Sequence, residues 1–214
     1  MIHAHDSVPI ANRRPLLATA RAAFALLDIV AIGRQLLIHV REGYDVLNFF
    51  SYFTNLANLF AAVVLLLAAW DAWQGRVGAH GFARATSVVN MAIVGIVFSV
   101  LLRDVDLGSL LPWVNFVVHH LMPCVVVADW FVQPPASRFG ARQLVLVLPI
   151  PLVYLAYVLV RGAAIGWYPY PFLNPAHVDG YAGVATYGLG ISVTFLVAGG
   201  LLLAFANYRA TSVD

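Results

Sequence analysis

Thr54, Asn115 and His119 are the residues of this largely apolar chain whose types and spacing suit covalent chemistry. Thr54 lies in a run whose polar members, Asn48, Ser51, Thr54, Asn55 and Asn58, gather at one end, before the wholly apolar stretch 59–69. Ser51, Thr54 and Asn58 are spaced i, i+3, i+7, which stacks them on one helical face. Asn115 and His119 stand i, i+4 in another apolar run, with Pro123 four residues further on. A hydroxyl with an imidazole as general base can attack an ester carbonyl, and without such a base a threonine hydroxyl is inert. Asn115, one turn before His119, is positioned to orient the ring, with no carboxylate at that depth to complete a triad.

Two more polar stripes accompany this pair: Tyr154, Tyr157 and Arg161 at i, i+3, i+7, and Ser99 and Arg103 at i, i+4. Asn58, Tyr157 and Arg161 are candidate donors to an oxyanion, and Arg161 or Arg103 is a candidate clamp for a substrate carboxylate. Set against this is a plainer reading, that Ser, Thr and Asn merely join membrane helices by hydrogen bonds. Adjacent helical residues such as His119 and His120 point roughly 100° apart, so they do not ligate one ion together, and no metal site is expected. His120 is read as a helix-contact residue, and Asp28 as a structural partner of Arg21 or Arg34 in preference to a proton-relay group. Pro123 removes the hydrogen bond to the His119 carbonyl, so a bend and a free carbonyl are expected there.

The elements that must hold these residues follow from composition. Of 214 residues 62% are apolar and only 10% charged, against roughly 25% charged in soluble domains. A water-soluble globule of this size has no means of hiding so much apolar surface, so the chain belongs in a bilayer. Six runs approach the roughly 20 residues needed to cross one: 16–40, 46–70, 86–102, 112–132, 143–160 and 182–206. The expected fold is all-α, a single bundle of six transmembrane helices with both termini cytoplasmic, the tails being 1–15 and 207–214 and the membrane domain 16–206. Lipid admits only helices or closed barrels, and these runs lack the alternation of barrel strands. The first is too long and too charged, with Arg21, Asp28 and Arg34, for a cleavable signal peptide.

Arginine placement sets the orientation: Arg13, Arg14, Arg21, Arg76, Arg84, Arg138, Arg142 and Arg209 fall on one side, Arg34, Arg41, Arg103 and Arg161 on the other, and the richer side is the cytoplasmic one. Trp70, Trp73, Trp113, Trp130 and Trp167 fall at span ends, where indoles favour the interface, and Asp129-Trp130 reads as an anchor there. Gly183, Gly188, Gly190, Gly199 and Gly200 suggest close packing of the last helix. All twelve basic residues are arginine, which hints at a high-GC bacterial source and hence an inner cell membrane. They are too scattered for a nucleic-acid partner. The lone Cys124 excludes an intrachain disulfide and a thiolate metal site. At about 1.5 Å per residue, Thr54 lies roughly 12 Å in from Val46 and His119 roughly 10 Å in from Pro112, so the two can meet at one depth.

Phe53-Thr54-Asn55-Leu56, Asn115 with His119 and Pro123, Asp129-Trp130, and Tyr168-Pro169-Tyr170-Pro171-Phe172-Leu173 together resemble the androgen-induced gene family and its bacterial six-span relatives. The likeness runs from about Val46 to Tyr208, although the animal members space the histidine and proline one residue further apart. It implies an integral-membrane hydrolase that splits fatty acid esters of hydroxy fatty acids, with a threonine nucleophile matching Thr54 and a histidine matching His119. The expected partners are a lipid ester substrate and membrane lipids, with no cofactor and no metal. Two other classes stay open, a small transporter or proton-coupled permease using Asp28, His119 and arginines, and a non-catalytic lipid-binding protein.

Overall fold

The computed structural model describes residues 10–76, 80–106, 108–135, 138–140, 142 and 149–211. Among these the regular structure is helical, without strands. The helices are α1 Ile10–Arg41, α2 Val46–Phe50, α3 Phe53–Trp73, α4 Gly81–Val97, α5 Pro112–Phe116, α6 Met122–Val132, α7 Pro149–Ile165 and α8 Gly180–Thr211. A π-helical turn, Phe98–Leu102, prolongs α4, and a second, Val117–Leu121, joins α5 to α6.

Among the described residues, five helical stretches are long and apolar enough to cross a membrane: Arg14–Arg41, Phe53–Trp73, Gly81–Leu102, Pro112–Val132 and Gly180–Ala210. The expected span 143–160 is described only from Pro149, in the shorter apolar α7, and 143–148 lies outside the described residues, as do 1–9 and 212–214 of the expected tails. The helices at both chain ends run beyond the expected limits, starting at Ile10 and ending at Thr211.

The core lies among α1, α3, α4, α6 and α8. Ala25, Ala61, Ala62, Val89, Met91, Met122 and Ala206 are among its fully enclosed members. Where α1 and α3 pack along their length, buried Ala18, Ala25, Ala31, Ala57, Ala61 and Ala68 keep side chains small and let the backbones approach. A buried ion cluster ties three helices: Arg21 of α1 donates to Asp129 at 2.6 Å and Arg84 of α4 donates to its other oxygen at 2.8 Å. Arg84 also reaches the Gln133 carbonyl at 2.6 Å, and Arg21 the Ala68 carbonyl at 3.2 Å.

This cluster corrects three expectations. Asp129 is not an interface anchor, because two guanidinium groups enclose it. Trp130 is not at an interface either: it is 1% exposed, and its indole N–H donates to the Leu202 carbonyl at 2.9 Å. Arg21 is spent on Asp129 and Arg34 is exposed, so Asp28, 0% exposed in mid-helix, has no hydrogen-bond partner for either carboxylate oxygen. Gly190 and Gly200 face open space, so of the glycines in the last helix they do not serve close packing, unlike Gly183 beside Val178 and Gly188 beside Leu155.

The run 46–70 is not one helix. Asp45 caps α2, accepting from the Leu47 N–H at 2.9 Å. Ser51 turns its hydroxyl back to the Leu47 carbonyl at 2.7 Å, a bond that competes with helix propagation. Tyr52 is extended (φ −79°, ψ 124°), and α3 starts afresh at Phe53. Depth counted along a straight helix from Val46 therefore does not apply to Thr54, which sits on the first turn of the spanning helix.

Candidate functional site

A cavity of about 450 Å³ opens at the end of the bundle where α2, residues 105–106 and 108–110 and the 167–177 segment meet, a size typical of small-molecule sites. Thr54, buried on the first turn of α3, and His119, buried in the π-helical turn between α5 and α6, both line it. No hydrogen bond joins them among the described residues.

His119 is held on two sides. Its Nδ1 donates to the Asn115 Oδ1 at 2.7 Å, which leaves Nε2 as the accepting nitrogen. Its ring stacks on Phe98 with centroids 4.0 Å apart and planes 18° from parallel. Phe98 opens the π-helical turn of α4, so the two π-helical turns meet through this ring pair. Where a bend is expected before Pro123, the helix winds as a π turn over Val117–Leu121. Gly95 of α4 packs there, since a Cβ at that position would stand 3.1 Å from the Pro123 Cβ and 3.9 Å from the His119 carbonyl oxygen. π turns of this kind recur at functional sites. His120 faces outward, edge-on to Phe98 and stacked near Phe116, and no cluster of three metal-ligating side chains is present among the described residues.

The remaining expected site residues divide by what already binds them. Asn58 gives its two amide hydrogens to the Thr54 carbonyl at 2.9 Å and the Val118 carbonyl at 3.1 Å, so it ties α3 to the π turn and does not line the cavity. Ser51 meets the Tyr157 hydroxyl at 2.7 Å, and its carbonyl accepts from Tyr154 at 2.9 Å. Arg161 donates to Asn48 at 2.6 Å and to Asp45 at 3.4 Å, and its guanidinium lies over the Trp167 ring at 5.2 Å. The stripe on α7 thus closes the break between α2 and α3. Arg103 is exposed beside Asp104 at 3.1 Å and does not line the cavity.

The residue that sequence reasoning left without a role is Tyr170. Its hydroxyl accepts from the Thr54 backbone N–H at 3.3 Å and lies 3.5 Å from the Thr54 hydroxyl. The signal was present in Tyr168-Pro169-Tyr170-Pro171: each tyrosine precedes a proline, which disfavours helix and holds the chain extended, and Tyr170 has φ −135° and ψ 141°. The strap crosses the cavity, where Tyr170 stacks on Phe172 at 5.2 Å and meets Tyr52 edge-on at 5.7 Å. Burial raises the Tyr170 pKa above that of an ordinary phenol, so its hydroxyl keeps its proton. Thr54 itself stands at a helix N-terminus, where first-turn N–H groups have no intrahelical acceptor and carry partial positive charge.

A second, apolar cavity of about 80 Å³ lies between α4, α7 and α8, walled by side chains such as Val94, Phe98, Leu155 and Phe195, and again includes Thr54 and Tyr170. The hydroxyl pair therefore stands where a polar chamber meets an apolar one. Compared with family models, curated proteins and solved structures, the chain found no match.

Proposed function

We propose that this protein is a membrane-embedded hydrolase of lipid esters. The single observation that carries the reading is that Thr54 and His119, from separate helices, line one cavity, with the Tyr170 hydroxyl beside Thr54. Thr54 Oγ attacks the ester carbonyl while His119 Nε2 takes its proton as general base, directly or through one water. The imidazolium returns the proton to the leaving alcohol, and water then releases the acyl group from Thr54 by the same route. Tyr170 and the first-turn amides of α3 donate to the oxyanion. The apolar cavity takes the first carbons of the acyl chain beside the ester, and the larger chamber the alcohol half. The resemblance to the androgen-induced gene family supports the same two residues, and the all-arginine composition supports a bacterial inner-membrane location. The arginine distribution supports six spans with both termini cytoplasmic, which puts the chamber on the opposite side.

The test is hydrolysis of a panel of lipid esters by purified protein and its Thr54→Ala variant. Turnover by the native protein that disappears in the variant supports the reading, and equal turnover in both removes the nucleophile. One observation favours a second reading, proton-coupled transport: the buried Asp28 carboxyl without a partner in mid-span. Solute flux in proteoliposomes that survives Thr54→Ala and fails in Asp28→Asn would decide for it.

A further inference from the structure

The larger cavity contains amides, hydroxyls and aromatic rings, with no arginine among the described residues that line it, and the chain has no lysine. The carboxylate among those described residues is Asp106, whose Oδ1 accepts from the Gly108 N–H at 2.9 Å at the rim. Of the arginines close in sequence to its walls, Arg34 and Arg41 are exposed and do not line it, and Arg103 and Arg161 do not line it either. Arg161 is bound through Nη2 to Asn48 and Asp45, and its Nη1, which has no hydrogen-bond partner, is sealed from solvent and outside the chamber wall. Arg103 points outward beside Asp104. Of the imidazoles in the wall, His119 is bonded to Asn115, His39 donates through Nε2 to the Asp45 carbonyl at 2.8 Å, and His177 is exposed. A free carboxylate entering this chamber loses water without gaining a guanidinium or ammonium partner, which is costly. A neutral polyol loses less and finds the side chains of Asn48, Asn55, Asn174 and Ser109, with the Tyr52 and Trp167 rings as walls. Burial raises the Tyr52 pKa, so that hydroxyl too is neutral.

We propose that the alcohol half of the substrate is a neutral polyol of the glycerol class, and not a hydroxy acid with a free carboxylate. This rests on the hydrolase reading and narrows it to monoacylglycerol-like esters. Ester cleavage balances as above: water is consumed, and a fatty acid and the polyol are released.

The experiment compares three esters of one acyl chain with the purified full-length protein in detergent at pH 8, where an ordinary imidazole is uncharged. They are a monoacylglycerol, the ester on a hydroxy fatty acid, and that ester with its carboxylate methylated. The expected order of kcat/KM is monoacylglycerol first, the methylated ester next, and the free acid lower than the monoacylglycerol by about tenfold or more, the scale of an uncompensated buried polar group. Free acid turned over as well as or better than monoacylglycerol overturns the proposal while leaving the hydrolase reading intact. Cleavage of none of the three overturns the hydrolase reading and this one with it. Ser109→Arg adds a cation to the chamber wall and is expected to raise kcat/KM for the free acid several-fold relative to monoacylglycerol; an unchanged ratio counts against the proposal.

Discussion

Tyr170 lies beside the Thr54 hydroxyl and Asn115 bonds the His119 imidazole, the two groups proposed to react. Tyr170→Phe removes a neutral donor beside Thr54 Oγ and keeps the ring stacked on Phe172, so kcat is expected to fall about 10²-fold with little change in melting temperature, the usual loss for one oxyanion donor. A variant as active as the native protein would return Tyr170 to packing. His119→Ala is expected to cost 10²-fold or more, the lower end of acid–base contributions, while His120→Ala, on the outward face, should leave turnover near native; steady-state kinetics of the pair checks the choice of histidine. Ser51, Thr54, Asn55 and Asn58 look alike in sequence, being small and polar within one run. The structure separates them: the Ser51 hydroxyl and the Asn58 amide N–H groups are consumed by hydrogen bonds, and Asn55 gives its amide to the Phe49 carbonyl at 2.8 Å. The Thr54 hydroxyl is left at a cavity wall. Nothing in residue type or spacing encodes that difference, since it depends on which carbonyls the break after Phe50 leaves open.

At the scale of elements, the strap 168–173 and the two π-helical turns decide where Tyr170 and His119 stand. Gly162 on α7 lies against Tyr168, whose ring occupies the place a Cβ would take. Gly162→Ala is therefore expected to push the strap away from α7 and lower turnover through Tyr170, with little effect on the ion cluster at the other end. Comparing kcat and the melting temperature of this variant checks it: a stability loss with normal kcat per folded molecule would contradict the argument. The strap was legible in part, because paired Tyr-Pro steps announce extended chain, yet its path across the cavity was not. The break in 46–70 had a cue in Ser51, but a serine in an apolar run usually bonds backward within an unbroken helix. What turned it into an interruption is the closing partnership with Tyr154 and Tyr157 from a helix a hundred residues away.

For the whole molecule, the buried charges set stability. Asp129 receives Arg21 and Arg84 from two other helices, and removing its charge leaves two guanidinium groups buried and unpaired. Asp129→Asn is expected to cost about 3–5 kcal/mol, seen as a marked fall in the melting temperature in detergent, and an unchanged melting curve would show the cluster to be dispensable. Asp28 has the opposite expectation. Its carboxyl is enclosed without a partner, so Asp28→Leu should raise the melting temperature and leave ester turnover near native. Loss of function on that change would point to the transport reading.

Composition alone determined that this chain is a membrane protein built of helices, because 62% apolar and 10% charged residues leave no other environment and lipid leaves few other backbones. Periodicity and the intramembrane histidine also singled out Thr54 and His119, which the fold brings to one cavity. Which arginine meets which carboxylate, that Trp130 is interior, and that Tyr170 reaches Thr54 were decided only by the tertiary structure. Those pairings join residues 108, 72 and 116 positions apart, and helical spacing reports the face of a residue on its own helix without saying which other helix that face will meet.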